Sequence, residues 1–178
     1  MSEATLKPDM AAGRIDLALG LLPQLQAGFY QQALFRQPYV CLLRAGHPLA
    51  TRSGLTKAAF ASAEHVRVLA EGTGHGRVDD ALAALGLRRR IRLTVPHYVA
   101  LGDVLRQGDL IATVPERFAQ RVLQPFGLTT RPLPVRVQDS VIHQFWHARM
   151  QQDPGHQWLR ALVAELFGDA RRGAAKRA

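Results

Sequence analysis

The stretch His65–Val95, HVRVLAEGTGHGRVDDALAALGLRRRIRLTV, decides the fold class. Its opening, HVRVLA (His65–Ala70), reads as a strand. Its close, RIRLTV, alternates Ile91, Leu93 and Val95 with polar neighbours, the period-two signal of a second strand. Between them Gly72–Gly76 is a glycine loop, and Arg77–Leu85 sets Val78, Leu82 and Leu85 on one face of a helix that Gly86 ends. A strand, helix and strand within about 30 residues have the length that a right-handed parallel crossover needs.

The same alternation continues on both sides. Upstream, a short helix over Leu6–Ala12 stops at Gly13, RIDLAL (residues 14–19) alternates as a strand, and FYQQALFRQPYVCLLRAGHP (residues 29–48) is extended. Downstream, a helix from His97 to Gln107 precedes a strand at Asp109–Val114. Pro115 is expected at the first position of a helix through Leu123, where its missing N–H costs nothing. A strand over Ser140–Ala148 then leads to a last helix, Pro154–Phe167, with Trp158, Leu159, Leu162, Val163, Leu166 and Phe167 on one stripe. Trp146 and Trp158 are expected in the core. The pattern predicts an α/β fold with mainly parallel sheets and ligands at the carboxyl ends of strands.

Composition narrows the function classes. The 178 residues suit one globular unit or two small lobes sharing strands. The 23 Lys+Arg against 14 Asp+Glu give a net charge of +9, yet 47% hydrophobic residues describe a chain able to bury a core and exclude a disordered polycation. Part of the positive excess is local: Arg88, Arg89, Arg90 and Arg92 cluster at one turn and strand, and Arg171, Arg172, Lys176 and Arg177 lie in a Gly/Ala tail, residues 171–178, expected to be disordered and solvated. Duplex binding through that tail stays open as a reading. A single cysteine, Cys41, excludes an intramolecular disulfide and fits a reducing cytoplasm. The start MSEATLKPDM has no signal-peptide core, and no run approaches the roughly 18 apolar residues of a membrane span, so no membrane partner is expected.

The chemistry-bearing residues are sparse. The loop Gly72-Thr73-Gly74-His75-Gly76 opens a helix, where backbone N–H groups and the helix dipole favour an anion. It lacks the lysine and spacing of a phosphate loop. Arg77 stands where a dinucleotide fingerprint needs its third glycine, so a carboxylate is the better match. A glycine loop that only turns and caps a helix is the bland alternative. His75 and His97 both sit at strand-to-helix junctions, and each on its own reads as a capping or surface histidine. His143 and His147 are four apart on a strand, without the Glu of a metalloprotease helix, and no Cys pair accompanies them, so no metal is expected. There is no nucleophile elbow, and the adjacent Asp79 and Asp80 cannot work as an acid/base pair. No catalytic residue and no cofactor are therefore expected. The inventory favours a binding module; a solute-capture protein or an enzyme on the same scaffold is the alternative class.

Several ordered landmarks together resemble one family. GRIDLALG (Gly13–Gly20), YVCLLRAGHPL (Tyr39–Leu49), HVRVLAEGTGHG, DLIATVPERFA (Asp109–Ala119) and VIHQFWHARMQQDPGHQWLRALVAELF (Val141–Phe167) are similar to the effector-binding domain of LysR-type transcriptional regulators. The segments FGLTT (Phe126–Thr130) and QFWHA (Gln144–Ala148) resemble its salicylate- and nitroaromatic-responsive subgroup. The likeness spans about residues 6–168. It implies a two-lobed fold of the type 2 periplasmic-binding-protein kind, with lobe I over residues 1–66 and 142–170 and lobe II over 67–141. It also implies an effector-sensing domain that binds a small aromatic carboxylate between the lobes and couples their movement to DNA binding. The ligand contacts it implies are Phe35, Gln37, Thr73, Gly74, His75, His97 and Ile142, with Phe35 and Ile142 flanking a ring while the loop holds the carboxylate.

The resemblance carries partners as well: a homo-dimer or tetramer, and DNA through a winged helix-turn-helix domain that this chain does not contain. Only 12 residues precede Gly13. The first strand and helix of lobe I are thus expected to be missing, which would leave an open sheet edge and exposed apolar surface. Gln37 stands where relatives carry His or Asn, a position expected to tune ligand preference.

Overall fold

The computed structural model describes residues 3–51, 54–69 and 76–169. The chain divides into two compact units, one made of residues up to 36 and from 140 onward, the other of residues 37–139. The elements of the first unit are α1 (Glu3–Ala12), β1 (Ala18–Gly20) and most of β2 (Phe29–Gln37). The second unit contains β3 (Tyr39–Arg44), α2 (Lys57–Ser62), β4 (Glu64–Val68), α3 (Gly76–Ala83), β5 (Arg90–Val95), α4 (Leu101–Arg106), β6 (Ile111–Pro115), α5 (Glu116–Phe126) and β7 (Leu128–Pro132). The chain then returns to the first unit through β8 (Ser140–His147) and α6 (Pro154–Phe167).

The second unit is built on a five-stranded sheet in the order β5-β4-β6-β3-β7. The expected crossover is present: β4 pairs parallel with β5, and also parallel with β6. Strand β3 runs antiparallel to both β6 and β7, so parallel pairing is confined to β4 and its two neighbours. The compact units meet at 36/37 and 139/140, whereas the family likeness implies lobe limits at 66/67 and 141/142. The cause is strand pairing, since β3 sits between β6 and β7 and carries residues 39–44 into this sheet.

Side-chain alternation splits the core into two layers. Leu42, Val66, Val68, Ala112 and Val114 pack against Leu101 and Leu105 of α4 and Ala119 of α5. Cys41, Leu43 and Ile111 point the other way, onto Phe60 of α2 and Val78 and Leu82 of α3. Leu85, expected on the same helical face as Val78 and Leu82, lies past the end of α3 and is exposed. There Gly86 takes φ +68°, a left-handed turn that suits glycine. Pro115 caps α5 one position earlier than expected: it ends β6, and the helix begins at Glu116.

Contact between α4 and α5 is tight. A Cβ on Gly102 would lie 2.7 Å from the Phe126 ring. Gly102→Ala is therefore expected to destabilise by about 1–3 kcal/mol through overpacking. Gly108→Ala, with nothing within 4 Å of its built Cβ, is the control and should stay within about 1 kcal/mol in the same urea titration.

The first unit carries a three-stranded sheet, β1-β8-β2. Strand β1 is antiparallel to β8. Contacts between β2 and β8 step backward in one strand as they step forward in the other: Phe29 meets His147, Tyr30 stacks on Trp146, and Gln32 bonds Gln144. That pair is antiparallel too. Strand β1 is shorter than the RIDLAL alternation predicts, because the N–H groups of Arg14 and Ile15 donate back to the Asp9 carbonyl at the end of α1. Phe145 and Ala18 pack with Leu6 and Met10 of α1.

The opposite face of that sheet meets α6, which is capped by the Asp153 carboxylate accepting from the His156 N–H, with Pro154 in its first turn. Trp146 is buried as expected, but Trp158 is 66% exposed, and Leu166 and Phe167 are exposed with it. The apolar stripe read from α6 is thus only partly covered by the described residues. The tail at 171–178 lies outside them.

Candidate functional site

Topology singles out one edge of the second unit. From the carboxyl end of β4 the chain passes through α3 to β5 on one side; from the carboxyl end of β6 it passes through α5 toward β7 on the other. Neighbouring parallel strands whose connections leave in opposite directions open a crevice between them, where α/β sheets bind ligands. Three helical starts converge on this edge: α3 at Gly76, the short 3-10 turn at Tyr98–Ala100 after β5, and α5 at Glu116. The first-turn N–H groups of a helix have no acceptor within the helix, and the dipole makes such an end electropositive.

The expected ligand contacts distribute as follows. His97 lies at this edge, as the residue capping the 3-10 turn in extended conformation; its side chain makes no capping bond and is exposed. Thr73, Gly74 and His75 fall outside the described residues. Gln37 is the half-buried last residue of β2, at the boundary between units. Phe35 and Ile142 are half-buried in the first unit. The β2–β8 register sets Ile142 opposite Leu34 on the face of Gln144 and Trp146, whereas Phe35 shares the other face with Phe29. The two are close in the sheet but do not share a face.

Aromatic residues at the edge were not singled out from the sequence. Tyr39 pairs with Pro115 at the carboxyl end of β6 and is buried. Tyr98 packs its ring on Phe118, centroids 4.7 Å apart. Burial, with a smaller contribution from Tyr39, pushes the Tyr98 phenol well above its ordinary pKa, so it is a neutral hydrogen-bonding group. The sequence signal was available: Tyr98 follows His97 directly, and Tyr39 opens β3 after Pro38. A cavity of about 420 Å³ adjoins this edge, lined among others by Tyr39, Glu116, Arg131, Arg136 and Asp139.

A larger groove of about 690 Å³ lies at the opposite, amino edge, beside His47, Thr56, Ser62, Glu64 and Asp109. Much of its polar lining is already engaged. His47 donates from Nε2 to the Asp109 carbonyl and accepts at Nδ1 from the Leu49 N–H; Thr56 and Ser62 bond within α2, and Asp109 pairs with Arg44. The carboxyl edge is therefore the better candidate. Nucleophilic chemistry has little support here: Cys41 is fully buried, and burial pushes its thiol up to about 12. No three His, Cys, Asp or Glu side chains gather among the described residues, and no helix among them is long and apolar enough to cross a membrane.

Comparison with known proteins bears on this geometry. The profile of the LysR substrate binding domain matches residues 2–168. The chain is 54% identical over 165 residues to the HTH-type transcriptional activator NagR of Ralstonia sp., covering 93% of this chain and 54% of that protein. It is 48% identical over 168 residues to the HTH-type transcriptional activator NahR of Pseudomonas putida, covering 94% of this chain and 56% of that protein. It thus spans little more than half the length of either. Among solved structures, the regulatory domain of MexT, a transcriptional activator in Pseudomonas aeruginosa, superposes with a TM-score of 0.78 at 27% identity, over 93% of this chain and 80% of that one.

Proposed function

Because this chain belongs to the LysR substrate-binding domain family, we propose that its ligand is a small aromatic carboxylate of the salicylate or benzoate kind, and that the domain reports this ligand to a DNA-binding segment of a transcriptional regulator. The observation that carries the reading is the family match over residues 2–168, on a sheet whose switch point gathers helix starts at one edge. The chain is a regulatory effector-binding domain rather than an enzyme.

In this reading the start of α3, with Thr73, Gly74 and His75, holds the carboxylate, and His97 donates to it or to a neighbouring phenol. Phe35, Gln37 and Ile142, on β2 and β8, are the further contacts that the family likeness assigns to this ligand. Ligand binding shifts a population of conformations by its differential affinity for them, and assembly into dimers or tetramers passes the shift to DNA.

Calorimetric titration with salicylate, benzoate and 2-nitrobenzoate tests the proposal. Saturable binding of at least one is expected, and His97→Ala should weaken it about tenfold, the loss of one charge-assisted hydrogen bond. The ligand-free melting temperature of that variant should not move, because the His97 side chain is exposed and makes no capping bond. Indifference of the unsubstituted chain to all three acids would overturn the proposal.

A further inference from the structure

A second, smaller cavity lies beneath α3, on the sheet face opposite α4. It is lined by Arg67 and Val68 of β4, Leu69, Val78 and Asp79 of α3, Arg89 and Thr113 of β6. Among the described residues its charges do not balance. Arg89, whose side chain is buried, donates from Nε and Nη2 to Oδ1 of Asp79, the lining carboxylate. Arg67 has no carboxylate partner among the described residues, and its Nε is buried without a hydrogen bond. The Thr113 hydroxyl, on a residue 7% exposed, is buried and likewise unbonded. Among the described residues, one positive charge without a carboxylate partner and two unsatisfied buried polar atoms thus line one cavity, a combination that buried groups rarely leave standing.

The volume restricts what could enter. The cavity measures about 70 Å³, room for roughly two water molecules, and about half of the ~150 Å³ that admits a benzene ring. An aromatic effector is excluded; chloride or formate fits. We propose that this cavity binds a small monovalent anion between the Arg67 guanidinium and the Thr113 hydroxyl. The anion balances Arg67, satisfies both orphaned groups, and bridges β4 to β6 beneath the first turns of α3.

Thermal unfolding of the chain in sodium chloride, formate and gluconate, at one ionic strength and pH, tests this. Gluconate is too large to enter, and any exclusion of it from the protein surface works against the expected difference. Chloride and formate should raise the melting temperature by about 2–4 °C over gluconate, the scale of mass-action stabilisation in a chain of this size. Arg67→Met should abolish the increment. Thr113→Val, nearly isosteric, should reduce it, together with the broadening of the chloride-35 resonance by the protein. Equal melting temperatures in the three salts, or an unchanged increment in both variants, would overturn the proposal and leave only water in the cavity.

Discussion

Arg160→Ala is expected to destabilise the chain by about 3 kcal/mol, the sum of lost hydrogen bonds from a charged donor and a lost cation–π contact. Arg160 is the hub of the first unit. Its guanidinium lies over the Trp146 ring, 4.5 Å from the centroid, and donates to the carbonyls of Met150 and Gln151. It also donates to Nδ1 of His156, which is buried and donates from Nε2 to the Asp16 carbonyl. Removing the guanidinium orphans Nδ1 and uncovers Trp146, so urea unfolding should be accompanied by a red-shifted emission in the folded variant. Trp158 is already exposed and should contribute little to that shift. Arg160→Lys should recover less than half of the loss, because an ammonium cannot reproduce the planar fork. Full rescue by lysine would mean that charge alone matters and would reject this account.

Acidification should remove about 3 kcal/mol through a single residue of the second unit. His65 is fully buried, donates from Nε2 to the Phe60 carbonyl at 2.7 Å, and leaves Nδ1 buried without a partner. The Phe60 ring stands edge-on to the imidazole at 4.7 Å. Burial lowers its pKa from 6.5 to about 4; the Arg89 charge adds to that, while the bond to Phe60 and the Asp79 charge oppose it. Between those two values the unfolded chain holds a proton at His65 that the folded chain does not. Stability from neutral His65 is therefore complete above about pH 6.5 and declines as pH falls toward 4, at up to about 1.4 kcal/mol per unit. Urea midpoints at pH 7, 6, 5 and 4.5 should show this slope in the unsubstituted chain and a shallower one in His65→Gln. Identical slopes would place the acid sensitivity elsewhere.

The central crossover was legible because its signals agree: alternation in β4 and β5, helical spacing at Val78 and Leu82, and a terminating Gly86. Long-range pairing was not legible. Nothing local in YVCLLR announces that β3 will sit between β6 and β7 and move the boundary to residue 36. The RIDLAL alternation overstated β1, since alternation cannot show that the N–H groups of Arg14 and Ile15 already bond to the Asp9 carbonyl. Trp158 illustrates a further limit: a stripe identifies a face able to be buried, not what covers it. At the candidate site, the junction at His97 could be read from sequence. The contribution of Tyr39 required knowing which strand ends meet.

The interleaved order of the chain has a consequence for biosynthesis. All strands of the five-stranded sheet have emerged from a ribosome once residue 132 has cleared the exit tunnel. Its partner sheet is different, for its middle strand, β8, is among the last parts translated. Until then β1 and β2 lack the strand that joins them, and Phe29 and Leu34 wait in a nascent chain with no finished layer to enter. Synthesis should thus yield one folded unit while residues 3–36 remain unassembled. In that interval a holdase would find its binding site at residues 3–36.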